Sequence, residues 1–262
     1  AIWQTNVPIR QKFNYKNQLN IKETLIQSLN YARNSSANVL VTPEGTWLDQ
    51  NGINTLPEVP LITGGFRTYN GTQRSSLLVF ESNEKTYSKS IDKYRLVPLG
   101  EWIPQIFGFL NNGLSAVGGL NPGLPSRKLE WSGPPAAIAI CYEISDGNSI
   151  AQAVDSGAEW ILASSNLDPY PISLQNQYLL LARLRSIENS RSLVSVANTG
   201  PSGLISGSGS IERIFPPFQS EIDVVNVELI STKTIYTRYK ETPLIMLLIG
   251  SIIILTFKHI GN

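Results

Sequence analysis

Cys141 is the single cysteine of the 262-residue chain, and it follows directly on an apolar run, Ala136 to Ile140. A residue at the C-terminal end of a strand in an α/β fold faces the crevice where such folds bind ligands. A lone cysteine is also commonly a small buried hydrophobe. To act as a nucleophile it needs a base for its proton and a cation for the negative charge that develops on the substrate. The lone histidine, His259, is the fourth residue from the end, which argues against a Ser-His-Asp triad or a Cys-His dyad. A carboxylate and a lysine can take those parts instead. Glu44 in Thr42-Pro43-Glu44-Gly45 and Lys93 in Ile91-Asp92-Lys93-Tyr94-Arg95-Leu96-Val97-Pro98 are the candidates. Taken singly, Glu44 reads as a solvated loop carboxylate and Lys93 as a surface lysine.

Composition narrows the classes. One cysteine and one histidine exclude an intrachain disulfide, a cysteine-cluster zinc site and a multi-histidine metal centre. No metal site and no organic cofactor is implied. A formal charge of +1 gives no basic field for nucleic acid. Hydrophobic residues make up 42% and charged residues 16%, the latter below the roughly 25% of ordinary soluble domains. The chain therefore has ample material for a core and is not disordered.

The elements that would position these residues alternate. Strand-like runs are Ile2 to Val7, Asn38 to Thr42, Leu61 to Phe66, Ser76 to Glu81, Ala136 to Ile140, Trp160 to Ala163, Leu193 to Ala197 and Ile222 to Leu229. Helical spacing covers 20–33, 146–157 and 173–189, and Gly200 to Ser210 is loop-rich. Strands alternating with helices predict an α/β layered fold. From Thr242 to Phe257 no residue is charged. A bilayer span needs about 20 apolar residues, with about 17 as the lower end. The stretch reads as a transmembrane helix, with a buried core helix as the alternative. The flanking Arg238, Lys240 and Lys258 do not fix its orientation.

Taken together, the ordered segments Val41-Thr42-Pro43-Glu44-Gly45, Lys93 to Glu101 and Ile140-Cys141-Tyr142-Glu143-Ile144 resemble the nitrilase superfamily of carbon-nitrogen hydrolases. Within it the closer resemblance is to the apolipoprotein N-acyltransferases. It is carried by Lys-x-x-Leu-Val-Pro-x-Gly-Glu, Cys-Tyr-Glu, Ser165-Asn166, the segment Ala182 to Asn189 and the apolar C-terminal stretch. The resemblance covers essentially the whole chain. It implies a four-layer αββα nitrilase-like sandwich over residues 1–240, with a C-terminal transmembrane helix and tail over 241–262. The family's N-terminal transmembrane helices would precede Ala1 and are absent from this chain.

The resemblance also implies roles. Cys141 is the nucleophile that takes the acyl chain as a thioester, Glu44 the general base and Lys93 the cation for the oxyanion. Glu101 matches a second glutamate that supports the triad, and Tyr142 and Glu143 match assisting neighbours of the cysteine. Carboxylates close to a buried lysine also keep it charged. Trp102, Asn166 and Tyr170 are the substrate-binding candidates. Asn166-Leu167-Asp168-Pro169-Tyr170 stands where the family has Asn-Asp-x-Trp-Phe, with Tyr170 in the aromatic position.

The implied reaction moves a fatty acyl chain from a phospholipid to the amine of a diacylglyceryl-cysteine apolipoprotein. The implied setting is a bacterial cytoplasmic (inner) membrane, with the catalytic domain on its outer, periplasmic face and the protein a monomer. Residues 99–124 interleave Trp102, Ile103, Ile106, Phe107, Phe109 and Leu110 with six glycines, which suits a flap that dips into lipid or covers an acyl chain. The alternative is a small-amide hydrolase, an amidase or nitrilase with the same triad and water as acceptor. A third reading is a membrane-anchored binding domain without activity.

Overall fold

The computed structural model describes residues 1–48, 52–53, 55–98, 100–101 and 119–260, with side chains described through 256 in the last helix. Two six-stranded sheets pack face to face. The first has the order β12-β1-β2-β3-β4-β5, built from β1 (Ile2–Gln4), β2 (Leu40–Val41), β3 (Leu61–Tyr69), β4 (Thr72–Phe80), β5 (Lys89–Asp92) and β12 (Glu221–Asp223). The second has the order β11-β10-β9-β8-β7-β6, built from β6 (Lys128–Leu129), β7 (Ala136–Ile140), β8 (Trp160–Ser165), β9 (Leu193–Ala197), β10 (Gly203–Ile205) and β11 (Ile211–Ile214). The helices are α1 (Ile9–Lys12), α2 (Tyr15–Asn34), α3 (Gly147–Asp155), α4 (Ile172–Asn189), α5 (Ile235–Tyr239) and α6 (Thr242–Ile260).

Side-chain alternation along the strands creates the layers. Ile62, Leu77, Val79 and Ile91 of the first sheet meet Ile138, Ile140, Leu162 and Val196 of the second. The opposite face of the first sheet, with Leu40, Leu61, Leu78 and Phe80, receives Leu25 and Leu29 of α2. The opposite face of the second, with Ala137, Ala139, Ile161 and Ala163, receives Ile150 and Val154 of α3 and Tyr178 and Ala182 of α4. The result is the expected αββα order. The central strands β7, β8 and β9 run parallel, so their crevice-facing ends lie on one side.

Several boundaries differ from the sequence expectation for local reasons. The first strand stops at Gln4 because Asn6 turns the chain with φ of 51°. The β3–β4 hairpin runs to Tyr69 and Thr72 because Asn70 and Gly71, both at positive φ, close a two-residue turn. The late strand shrinks from the expected run to Glu221–Asp223, since its partner β1 offers three residues for pairing. β10 and β11 emerge in and just beyond the segment expected to be loop. Between β7 and α3 the chain makes a 3₁₀ turn, Cys141–Ser145.

The apolar C-terminal stretch is helical, as α6. Leu244, Met246, Leu247, Ile254 and Leu255 are all about two-thirds exposed. Among the described residues no helix is long and apolar enough to cross a membrane. The expected apolar segment is thus a helix whose described aliphatic side chains are half to two-thirds exposed.

Candidate active site

Glu44, Lys93 and Cys141 lie at the ends of different strands. Glu44 follows β2 in the loop Thr42–Trp47, Lys93 follows β5, and Cys141 follows β7. Gly64 on β3 makes room for the Glu44 loop, because a Cβ there would come within 2.4 Å of Glu44 Cα and of the Pro43 carbonyl oxygen. Cys141 itself has φ of 51°. A non-glycine residue in that region costs on the order of 1–3 kcal/mol and persists where the surroundings enforce it.

The enforcing group is Glu143. Its carboxylate accepts the backbone N–H of Ile140 at 2.9 Å and that of Tyr94 at 2.6 Å. Arg127, itself buried, pairs with it at 2.9 Å and spends its other nitrogen on the carbonyls of Asp92 and Leu124. Burial pushes the Glu143 carboxyl above its ordinary range, opposed by Arg127 and the backbone donors. One carboxylate thereby ties the cysteine turn to the lysine loop.

The ammonium of Lys93 is fully buried. It donates to Glu44 Oε1 at 2.8 Å and Glu101 Oε1 at 2.7 Å. Burial opposes its charge, yet Glu44, the Cys141 thiol and Glu101 outweigh burial and hold its pKa well above the ordinary value. Glu44 is further held by Ser75 Oγ at 3.3 Å and by the backbone N–H of Asn166, which reaches Oε2 at 3.1 Å. Glu101 also accepts the N–H of Val97 at 2.9 Å. Its carboxyl is raised by burial and by Glu44, against Lys93.

Cys141, Glu44, Glu101, Asn166 and Tyr170 line one cavity of about 330 Å³ together with Lys12, Arg10, Gly45 and Phe66. Burial pushes the resting thiol up to about 12, with Glu44 and Glu101 adding to the rise and Lys93 and the Asn166 N–H opposing it. The thiol is therefore protonated at rest and needs the adjacent carboxylate to take its proton. The arrangement supplies a nucleophile, a base hydrogen-bonded to an ammonium, and a second carboxylate balancing that ammonium. That set suits acyl transfer through a thioester.

The other sequence candidates distribute as follows. The carboxamide of Asn166 is engaged with Asn198 at 3.0 Å and with the Asp168 N–H at 3.4 Å, so its backbone is what reaches the site. Tyr170 lines the cavity. Tyr142 does not line it, and its side chain is half exposed. Trp102 and most of the apolar segment 99–124 lie outside the described residues.

Sequence reasoning missed Lys12, Arg127 and Asn198. Asn198 donates to the Val7 carbonyl and the Asn166 carboxamide and accepts from Thr5 and Val7, which seats the β1 exit beside the cavity. Lys12 sits on a one-turn helix too short to leave a periodic signal, although the buried cation is readable once the fold is known.

Comparison with known proteins follows this geometry. No family model matches the chain. A Prochlorococcus marinus protein named apolipoprotein N-acyltransferase is 50% identical over 245 residues, covering 94% of this chain and 50% of its own length. Its namesake from a second strain of that species is 46% identical over 263 residues, covering 100% of this chain and 52% of its own length. This chain thus spans about half the length of the curated relatives it matches. Among solved structures, a mutant of the amidase from Nesterenkonia sp. AN1 superposes with a TM-score of 0.64 at 14% identity, over 94% of this chain and 95% of the other. Saccharomyces cerevisiae Nit3, a member of branch 10 of the nitrilase superfamily, gives 0.62 at 13% identity, over 84% and 86%. The chain shares the fold of solved nitrilase-superfamily proteins, and by sequence it is homologous, essentially from end to end, to about half the length of proteins named apolipoprotein N-acyltransferase.

Proposed function

We propose that the chain is the catalytic part of an apolipoprotein N-acyltransferase, moving a fatty acyl chain from a phospholipid to the α-amine of a diacylglyceryl-cysteine lipoprotein. The observation that carries this reading is that Glu44 and Glu101, both hydrogen-bonded to the buried Lys93, line one cavity with Cys141, in a chain homologous to proteins of that name.

Cys141 Sγ attacks the donor's ester carbonyl carbon while Glu44 takes the thiol proton. Lys93 holds the oxyanion of the tetrahedral intermediate. The ester C–O bond then breaks, Glu44 returns the proton to the departing glycerol oxygen, and a thioester remains on Cys141. The acceptor's neutral amine next attacks the thioester carbonyl. Glu44 takes the proton that the nitrogen sheds, the C–S bond breaks, and the thiolate recovers that proton. Both half-reactions use the same three groups, as ping-pong transfer requires.

Residues 1–240 form the catalytic unit in this reading, and 241–262 associate with a bacterial cytoplasmic membrane, the site lying on its outer face. An apolar helix with its described aliphatic side chains exposed suits lipid better than water. A small-amide hydrolase is the second reading, favoured by the likeness to the Nesterenkonia amidase. Intact-mass measurement after incubation with phospholipid decides between them. A hydroxylamine-labile gain of one acyl chain on the wild type, absent in Cys141→Ala, supports the transferase. Turnover of small amides without that gain supports the hydrolase.

A further inference from the structure

Lys12 is a buried cation in the cavity wall whose placement the chemistry above does not use. Its side chain is 2% exposed, yet among the described residues its ammonium has a single hydrogen-bond partner, the Glu44 carbonyl oxygen at 3.2 Å. An ammonium carries three donors, and a buried charge left partly unsatisfied is costly. Asp168, whose charge reaches Lys12, accepts the N–H of Ile9 at its Oδ2, at 2.9 Å, instead. The ammonium lies 3.8 Å from the point where a Cβ on residue 45 would sit, and that residue is Gly45, at φ of 67°. Space beside the charge is therefore left open on the cavity side. Arg10, exposed and two residues earlier, lines the same cavity.

Charge accounting points the same way. Lys93 is committed to Glu44 and Glu101 at hydrogen-bond distance and to the oxyanion of the chemistry above, so seating a donor's phosphate falls to another cation. Lys12 and Arg10 have no ion pair among the described residues at that distance. Burial pulls the Lys12 ammonium down to about 8, against the pull of Glu44 and Asp168. An anion docking against it would hold it charged.

We propose that Lys12, with Arg10 at the mouth, binds the phosphodiester of the acyl donor and so sets the donor's ester over Cys141. This rests on the acyl-transfer reading for the identity of the donor. The shared chemistry is a phosphate oxygen pair, which a lipid headgroup or free phosphate could supply, and the site is built for the former. In a glycerophospholipid the phosphate and the scissile ester sit on one glycerol. A fixed cation in the cavity wall therefore restrains the carbonyl that shares its glycerol.

The test does not need turnover. Cys141 is the only cysteine, so its alkylation by iodoacetamide at neutral pH, followed by intact mass, reports occupancy of the cavity. Soluble glycerophosphoethanolamine is expected to slow alkylation of the wild type several-fold, while glycerol does not. Lys12→Met should lose that protection, and Lys12→Arg should keep most of it. If Lys12→Met does not fold, Lys12→Gln, which can still donate to the Glu44 carbonyl, takes its place. Equal protection in the charge-free variant, or none in the wild type, overturns the proposal. Protection by inorganic phosphate but not by glycerophosphoethanolamine overturns the lipid source. An absent acyl-enzyme alongside Lys12-dependent protection would instead sink the transferase reading and leave the anion site standing.

Discussion

The Glu143 carboxylate accepts the backbone N–H of Tyr94 at 2.6 Å, so the residue after the lysine hangs from the second residue after the cysteine. The same carboxylate holds Ile140 N–H, immediately before the cysteine, and is itself held by Arg127. Relative placement of two catalytic candidates on different sheets thus depends on one buried ion pair.

Arg127→Met should therefore damage both fold and chemistry. Removing one partner of a buried pair costs about 3–5 kcal/mol, read as a lower urea midpoint, and acyl-enzyme formation should fall with it. The double variant Arg127→Met/Glu143→Leu should not recover, because the Ile140 and Tyr94 N–H groups lose their acceptor. Full recovery in the double variant would make the pair a packing feature only.

Glu44→Gln should move two quantities in opposite senses. Its charge helps to raise the Cys141 thiol, after burial, so the variant's thiol should titrate below the wild type's in the pH dependence of alkylation. Acyl-enzyme formation should nevertheless slow by a factor on the order of 10² to 10⁴, the range for loss of a general base. An undiminished acylation rate would remove Glu44 from that role.

Lys93→Ala leaves Glu44 and Glu101 facing each other without the ammonium between them. Without the ammonium the two carboxylates repel, so Glu101 should hold a proton more readily than in the wild type, and acylation should vanish. Adding Glu101→Gln should return part of the lost stability and none of the activity. Denaturant midpoints and intact-mass acylation, measured on the same samples, separate the two effects.

Lys12 gives a pH signature in stability. Burial pulls the folded ammonium down to about 8, below its ordinary 10.5. Between those values the unfolded chain binds more protons, so stability rises with pH across that window. Below about 8 both states are protonated and the burial cost is fully present. The wild type should therefore gain up to about 3 kcal/mol on Lys12→Met as pH climbs through the window. Parallel urea midpoints for the two proteins at every pH would contradict a buried, charged Lys12.

Vesicle flotation tests the proposed lipid association of α6. The full chain should float with phospholipid vesicles. Leu247→Glu combined with Ile254→Glu should shift it to the pellet fraction while leaving the denaturant midpoint unchanged, since both side chains are exposed. Flotation that survives both charges would place the lipid contact elsewhere.

The strands that sequence made legible are those whose apolar side chains are buried on both sheet faces. Ala136 to Ile140 and Leu193 to Ala197 match the observed strands to the residue. Lys89–Asp92 escaped because Lys89 and Ser90 break the apolar run, even though Ile91 reaches the core. The Glu44, Lys93 and Cys141 set was legible only as an ordered combination of motifs. Arg127 and Lys12 were not, because a buried charge looks like a surface charge until the fold shows what covers it.

The β1–β12 pairing sets Ile2 opposite Asp223. The opening strand also lies between that late strand and β2. It cannot complete its sheet until Glu221–Asp223 has left the ribosome. The strands β6 to β11, including the one that carries Cys141, have all emerged by then. So non-local a closure makes for slow folding, and during synthesis it leaves the outer edge of β1 unpaired, open to strand addition by another chain until β12 arrives.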